Sequence, residues 1–257
     1  MDQQQIPVAE LVGFVFALVR TTAFFVLAPP FNSRSIPRRI KVGLAAGISL
    51  VLAPKLPADQ VSLDGSYLVT GAVTQMCTGL ALGMITMILM QAVSLAGQLI
   101  DTFGGFTMSM AMDPMLNAQS SIFGRFYSLI GTTMLFAING HLMIVKGFLT
   151  SFDAVPLGGL GMQNFTDLLL REVGLLMLAA CEIAGPLLGA YFLTEVALGF
   201  LGKAAPQMNI IQFGFPLKIL LTVLMVGAAL PIIPGAMHTL VDSVLRGGMD
   251  LMHGKGN

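Results

Sequence analysis

The chain has 257 residues, 55% of them hydrophobic and 10% charged, with a mean hydropathy of +0.84. An ordinary soluble domain carries roughly 25% charged residues, so this composition excludes one and indicates an integral membrane protein. Thirteen basic and thirteen acidic residues leave zero formal net charge, which argues against nucleic acid or a strongly anionic partner.

Cys77 and Cys181 stand alone in apolar runs without CxxC spacing and read as small core residues. Asp2 is the sole charged side chain before the first apolar run, so the basic start of a cleavable signal is missing and the N-terminus is expected to be retained. There is no Trp, and Tyr is confined to Tyr67, Tyr127 and Tyr191. Lipid-facing spans usually carry an aromatic belt, so much of the apolar surface is expected to face protein.

In chain order, the first apolar stretch covers residues 8–30 and contains Arg20. At ~20 residues per span it is long enough to cross a bilayer, and Pro29 and Pro30 end it. The link 32–41 carries Arg34, Arg38, Arg39 and Lys41, the main positive-inside signal, which favours the cytoplasmic side. The run 42–54 is short for a span, and its Gly43 and Gly47 form a GxxxG pair that lets helices approach closely. After a polar link at 55–66, the run 67–100 exceeds one perpendicular span and must tilt, kink or project beyond the bilayer. Gly79 and Gly83 repeat the GxxxG spacing inside it.

The run 122–149 holds Arg125, His141 and Lys146. Segment 150–172 is amphipathic and turn-rich, with Pro156, Gly158, Gly159 and Gly161, and reads as a divider between halves 1–160 and 161–257. The last runs, 173–201 and 213–237, are joined by 202–212 and predict a helical hairpin followed by a polar tail. No alternating strands with frequent turns occur, which excludes a β-barrel. The expected fold is all-α, a polytopic membrane protein of about six hydrophobic helical segments.

One stretch departs from this pattern. Between residues 101 and 121, Gly104 and Gly105 permit positive φ, and Asp113 before Pro114 is pushed away from helical angles. A loop rich in large flexible groups is predicted between them, with Phe106, Met108, Met110, Met112 and Met115 interleaved with small residues. Methionine fills irregular gaps without demanding one shape. Two readings of these residues stand: a re-entrant connector buried in protein, or a gate that seals and re-forms.

Enzyme signatures are missing: there is no G-x-S-x-G elbow, P-loop, H-E-x-x-H or dinucleotide fingerprint. His141, His238 and His253 have no spacing that places two on one helix face, so no metal site or cofactor is expected. Ionisable groups within apolar runs cost ~2.5–3.5 kcal/mol each at the bilayer centre. They are Arg20, Arg125, His141, Lys146, Glu182, Glu195 and Lys218, and both signs are scattered as in interhelix pairing. With the hairpin turn at Gln207, Glu195 and Lys218 stand 12 and 11 positions away (207 − 195 and 218 − 207), at similar depth on antiparallel helices. An ion pair between them is expected.

Several pieces in fixed order resemble one known family. They are PPF at 29–31, IPRRIKVGLA at 36–45, GQLIDTFGGFTMSMAMDP at 97–114, GRFY at 124–127, GH at 140–141, VPLG at 155–158, APQMNI at 205–210 and FPLK at 215–218. Together they are similar to the FliR, SpaR and YscT family of type III secretion export-gate subunits, with the methionine of APQMN nearer the flagellar branch. The resemblance implies a subunit of the flagellar export gate in the bacterial inner membrane, at the basal body. Its partners would be FliP-like and FliQ-like subunits, FlhB-like and FlhA-like export components, and unfolded export substrates. It further implies a FliP-like first half, a FliQ-like C-terminal hairpin, and a pore plug formed by Gly104, Gly105, Phe106, Met108, Met110, Met112, Asp113, Pro114 and Met115. Pro206, Gln207, Met208, Asn209 and Lys218 would line the pore mouth. The alternative is a secondary transporter of a small solute, which calls for inverted repeats; the two halves do not look like repeats.

Overall fold

Proline, glycine and asparagine set most helix boundaries in the computed structural model, which describes residues 5–33, 35–53, 64–106, 121–154, 162–207 and 210–252. Helix α1 (Gln5–Leu27) stops short of Pro29 and Pro30, and α2 (Arg38–Leu52) starts immediately after Pro37, where a ring with fixed φ is well placed to lead into a helix. α3 (Gly65–Phe103) is one continuous helix of 39 residues. At 1.5 Å per residue it is about 58 Å long, against ~30 Å of hydrocarbon.

α4 (Ile122–Ala137) and α5 (Gly140–Ala154) were expected as a single run. They are separate because Asn139 has φ 57°, a left-handed conformation that asparagine tolerates better than most residues. α6 (Met162–Ala204) spans 43 residues with Pro186 inside it, so helix occupies both ends of the segment expected to be a turn-rich divider. α7 (Ile210–Ala229) contains Pro216. A short 3-10 turn, Leu230–Ile232, with Pro231 near its start, then leads into α8 (Ile233–Met252). The polar tail expected after the hairpin is thus largely helical. Its apolar positions Ile233, Met237, Leu240 and Val241 are buried while Asp242 is exposed, the spacing of one helix face.

Among the described residues there is no strand. Glu10–Leu27, Gly65–Phe103 and Val173–Ala204 are long and apolar enough to cross a membrane, and Ile122–Ala137 with Gly140–Asp153 makes a fourth if counted as one broken span. The chain is an all-helical polytopic membrane protein.

Two compact units are present. The first comprises Met1–Leu89, Asn139–Val173 and Val241–Asn257; the second comprises Met90–Ile138 and Gly174–Leu240. Each draws on residues from both sides of position 160. In the first unit, α3 lies against α1 through Gly79 and Gly83. A Cβ at Gly79 would run into the Arg20 carbonyl oxygen, and one at Gly83 would lie 2.9 Å from that of Phe24. Phe24 stacks on Phe148 with ring centroids 4.3 Å apart. Arg20 is buried in this packing: Nε donates to Gln75 Oε1 at 2.6 Å, one terminal nitrogen donates to the Ser151 carbonyl at 3.0 Å, and the guanidinium lies 4.3 Å from the Phe152 ring centroid. A charge in an apolar span is thereby supplied with acceptors and an aromatic face.

The cysteines correct an expectation. Cys77 and Cys181 are both exposed on the chain, because membership of an apolar run decides composition, not which face of the helix is covered.

Candidate functional site

All of the site lies in the second unit, where the end of α3 and the start of α4 bracket residues 107–120. Met108, Met110, Met112, Asp113, Pro114 and Met115 lie outside the described residues, as do Met208 and Asn209. What is described is the two helix ends that flank residues 107–120 in the chain.

Asp101, in the last turn of α3, is fully buried. Its Oδ2 accepts from Ser121 Oγ, from the Phe123 N–H at 3.0 Å and from the Gly124 N–H at 3.5 Å, while Ser121 Oγ itself accepts from the Gly124 N–H at 2.7 Å. A carboxylate at the C-terminal end of its own helix faces an unfavourable dipole. Here it is placed against the first turn of α4, whose N–H groups lack intrahelical acceptors and favour negative charge. Asp101 Oδ1 and Tyr127 Oη are buried without a hydrogen-bond partner among the described residues. α3 and α4 also approach closely at Gly97, where a Cβ would collide with the Phe123 carbonyl.

Past α3 the chain meets the hairpin of α6 and α7. Thr222 Oγ1 lies 2.7 Å from Tyr191 Oη and 2.6 Å from the Lys218 carbonyl oxygen. A hydroxyl has one proton, so Thr222 donates to the carbonyl and accepts from Tyr191. Gly104 sits on this pair: a Cβ there would lie 2.9 Å from Tyr191 Oη and 3.1 Å from Thr222 Oγ1. Gly105 has φ +82°, and its Cβ position is 3.3 Å from the Phe215 ring. Phe106 meets Phe123 edge-on with centroids 5.3 Å apart. Both requirements at 104 and 105, absence of a side chain and a left-handed backbone, are met by glycine alone without strain.

One turn from Thr222, Lys218 Nζ forms an ion pair with Glu195 Oε1 between α7 and α6; the Lys218 side chain is 18% exposed and that of Glu195 57%. Pro206 and Gln207 are exposed between the two helices. Among the described residues no group of His, Cys, Asp and Glu is arranged to hold a metal ion. Asp101, Ser121, Tyr191 and Thr222 escaped sequence reasoning. The available signals were a lone acid ending an apolar helix and a serine opening the next.

Residues 11–244 match the family of bacterial export proteins, family 1. The chain belongs to this family. It is 30% identical over 234 residues to the flagellar biosynthetic protein FliR of Escherichia coli (strain K12), covering 91% of this chain and 90% of that protein. The flagellar biosynthetic protein FliR of Bacillus subtilis (strain 168) is 26% identical over 226 residues, covering 86% and 87%. The secretion system apparatus protein SsaT of Salmonella typhimurium is 26% identical over 241 residues, covering 91% and 92%. The family match spans both helix ends that flank residues 107–120 and the α6–α7 hairpin.

Proposed function

We propose that the chain is a subunit of the flagellar type III export gate in the bacterial inner membrane, at the basal body. With FliP-like and FliQ-like subunits it forms the channel through which unfolded flagellar proteins pass, residues 1–160 being the FliP-like part and 161–257 the FliQ-like part. The observation that carries this reading is the match to a bacterial export family over residues 11–244, with flagellar relatives aligned along about nine-tenths of the chain. Deleting the chain is expected to leave flagellar filament protein inside the cell. Coexpression with FliP-like and FliQ-like subunits is expected to yield one large hetero-oligomer; a lone monomer or dimer in native detergent would favour a transporter.

Within the gate, residues 104–115 act as a plug. A pore wide enough for polypeptide leaks ions when empty, so its seal must be apolar, deformable and indifferent to substrate sequence, which methionine supplies. Supporting this reading, both feet of the segment are tied down: Asp101 and Ser121 to each other, and Gly104 on Tyr191 and Thr222. Burial of one Met stabilises by ~1.5–3 kcal/mol, so exposing four together costs at most ~6–12 kcal/mol. The lower figure holds spontaneous opening near ~10⁻⁴. The test deletes 106–112, or changes Met108, Met110 and Met112 to Ser, in a complex shown to assemble, and measures ion conductance. Raised conductance is expected; tight conductance with normal assembly overturns the plug.

A further inference from the structure

In the first unit an open groove of about 530 Å³ runs between α2 and α5, lined by Gly43, Leu44, Gly47 and Ile48 on one side, with Lys146 and Asp153 on the other. Thr21 meets Ser49 at 3.4 Å, Arg20 meets Ser151, and Phe24 stacks on Phe148. The two contacts of α5 with α1, Arg20 with Ser151 and Phe24 with Phe148, make α5 run antiparallel to α1. Lys146 and Asp153 border the groove from α5, and Leu44 and Val51 border it from α2. The two charges are seven positions apart (153 − 146), about 10 Å along the axis at 1.5 Å per residue. Neither side chain has an ion-pair partner among the described residues.

The glycines of the groove differ from those of α3. Gly79 and Gly83 are required by the chain's own packing, whereas a Cβ at Gly43 or Gly47 would meet nothing within 4 Å. Among the described residues, nothing uses the close approach that these two glycines permit. Leu44 is 47% exposed and Val51 68%. An occupant must bring its backbone near α2, present an apolar body, and offer a negative charge at one end and a positive charge two turns on.

We propose that this groove receives an apolar α-helix of a neighbouring export-gate subunit, with a carboxylate facing Lys146 and a Lys or Arg facing Asp153. The inference rests on the reading of the chain as one subunit of a hetero-oligomer. Charge favours a helix over a phospholipid. An anionic headgroup suits the Lys146 end, but its acyl chain would then lie against the Asp153 carboxylate, which an apolar chain cannot satisfy.

The test places a photo-crosslinking amino acid at Leu44 in the full chain, coexpressed with the other gate subunits. The expected product joins this chain to one other subunit, at an apolar helix with an acid and a base seven positions apart. Gly47→Leu is expected to leave insertion of the newly made chain unchanged while lowering recovered complex at least tenfold. Lys146→Glu is expected to lower recovery as well, and reversing the acid on the crosslinked helix to restore it. Adducts to lipid or to a second copy of this chain, or full recovery of complex with Gly47→Leu, overturn the proposal while leaving the assembly reading intact. Failure of the unmodified chain to form any complex defeats both.

Discussion

Ser121 Oγ donates a hydrogen bond to Asp101 Oδ2, closing the ends of the intervening segment with a carboxylate that also caps the first turn of α4. Removing it in Asp101→Ala strands the Ser121 hydroxyl and the Phe123 N–H, and should destabilise by about 2–3 kcal/mol. Asp101→Asn keeps an oxygen for those donors and loses the charge; charge-assisted bonds are roughly twice as strong as neutral ones, so about half the effect is expected. The readout is the melting temperature of the assembled complex in detergent. Equal melting of the Ala variant and the wild type would show that the contact stabilises nothing.

Gly104→Ala should be harmful because its methyl group falls on Tyr191 Oη. Overpacking of this kind costs ~1–3 kcal/mol. Tyr191→Phe removes one of the oxygens that the methyl group meets, the Ile100 carbonyl and Thr222 Oγ1 remaining, so the double variant should lose somewhat less than the sum of the two singles. Strict additivity in that cycle counts against direct contact.

The Lys218–Glu195 pair should matter little to the isolated chain, because Glu195 is more than half exposed and exposed pairs contribute ~0–1 kcal/mol. If neighbouring subunits cover it, each single charge reversal strands a buried charge and assembly suffers far more than the chain's own stability. Glu195→Lys with Lys218→Glu should then restore the complex. A double variant worse than either single one argues against pairing.

Arg20→Ala leaves Gln75 Oε1 and the Ser151 carbonyl without this donor, for about 2–4 kcal/mol. Adding Gln75→Leu removes one stranded acceptor and should recover part of the loss. Accumulation of the chain in membranes, followed over time, reports the difference. Arg20→Ala accumulating like wild type would show that α1, α3 and α5 hold together without it.

How much of this was legible in the sequence depended on whether the deciding interaction was local. The α6–α7 hairpin could be laid out because helical rise is uniform, so counting from Gln207 gives depth. Asn139 was overlooked because hydropathy averages over many residues, and one left-handed residue in an apolar run barely changes the mean. Gly43–Gly47 and Gly79–Gly83 have identical spacing, yet the second pair is filled by α1 and the first by nothing among the described residues. Spacing shows that a close approach is possible and is silent on what approaches. Asp101 was invisible for a related reason: its donors lie about 20 positions on, across a segment whose path no local rule sets.

The neighbours of Arg20 also impose an order in time. Gln75 follows it by 55 positions and Ser151 by 131. At ~5–20 residues per second of synthesis, the guanidinium waits on the order of ten seconds for its last acceptor. During that interval α1 already carries its charge without the helices that will shelter it. The insertion machinery, or water at the membrane surface, must host Arg20 until α5 has been made. Truncated chains ending before Ser151 should therefore hold α1 less firmly in the membrane than chains ending after it.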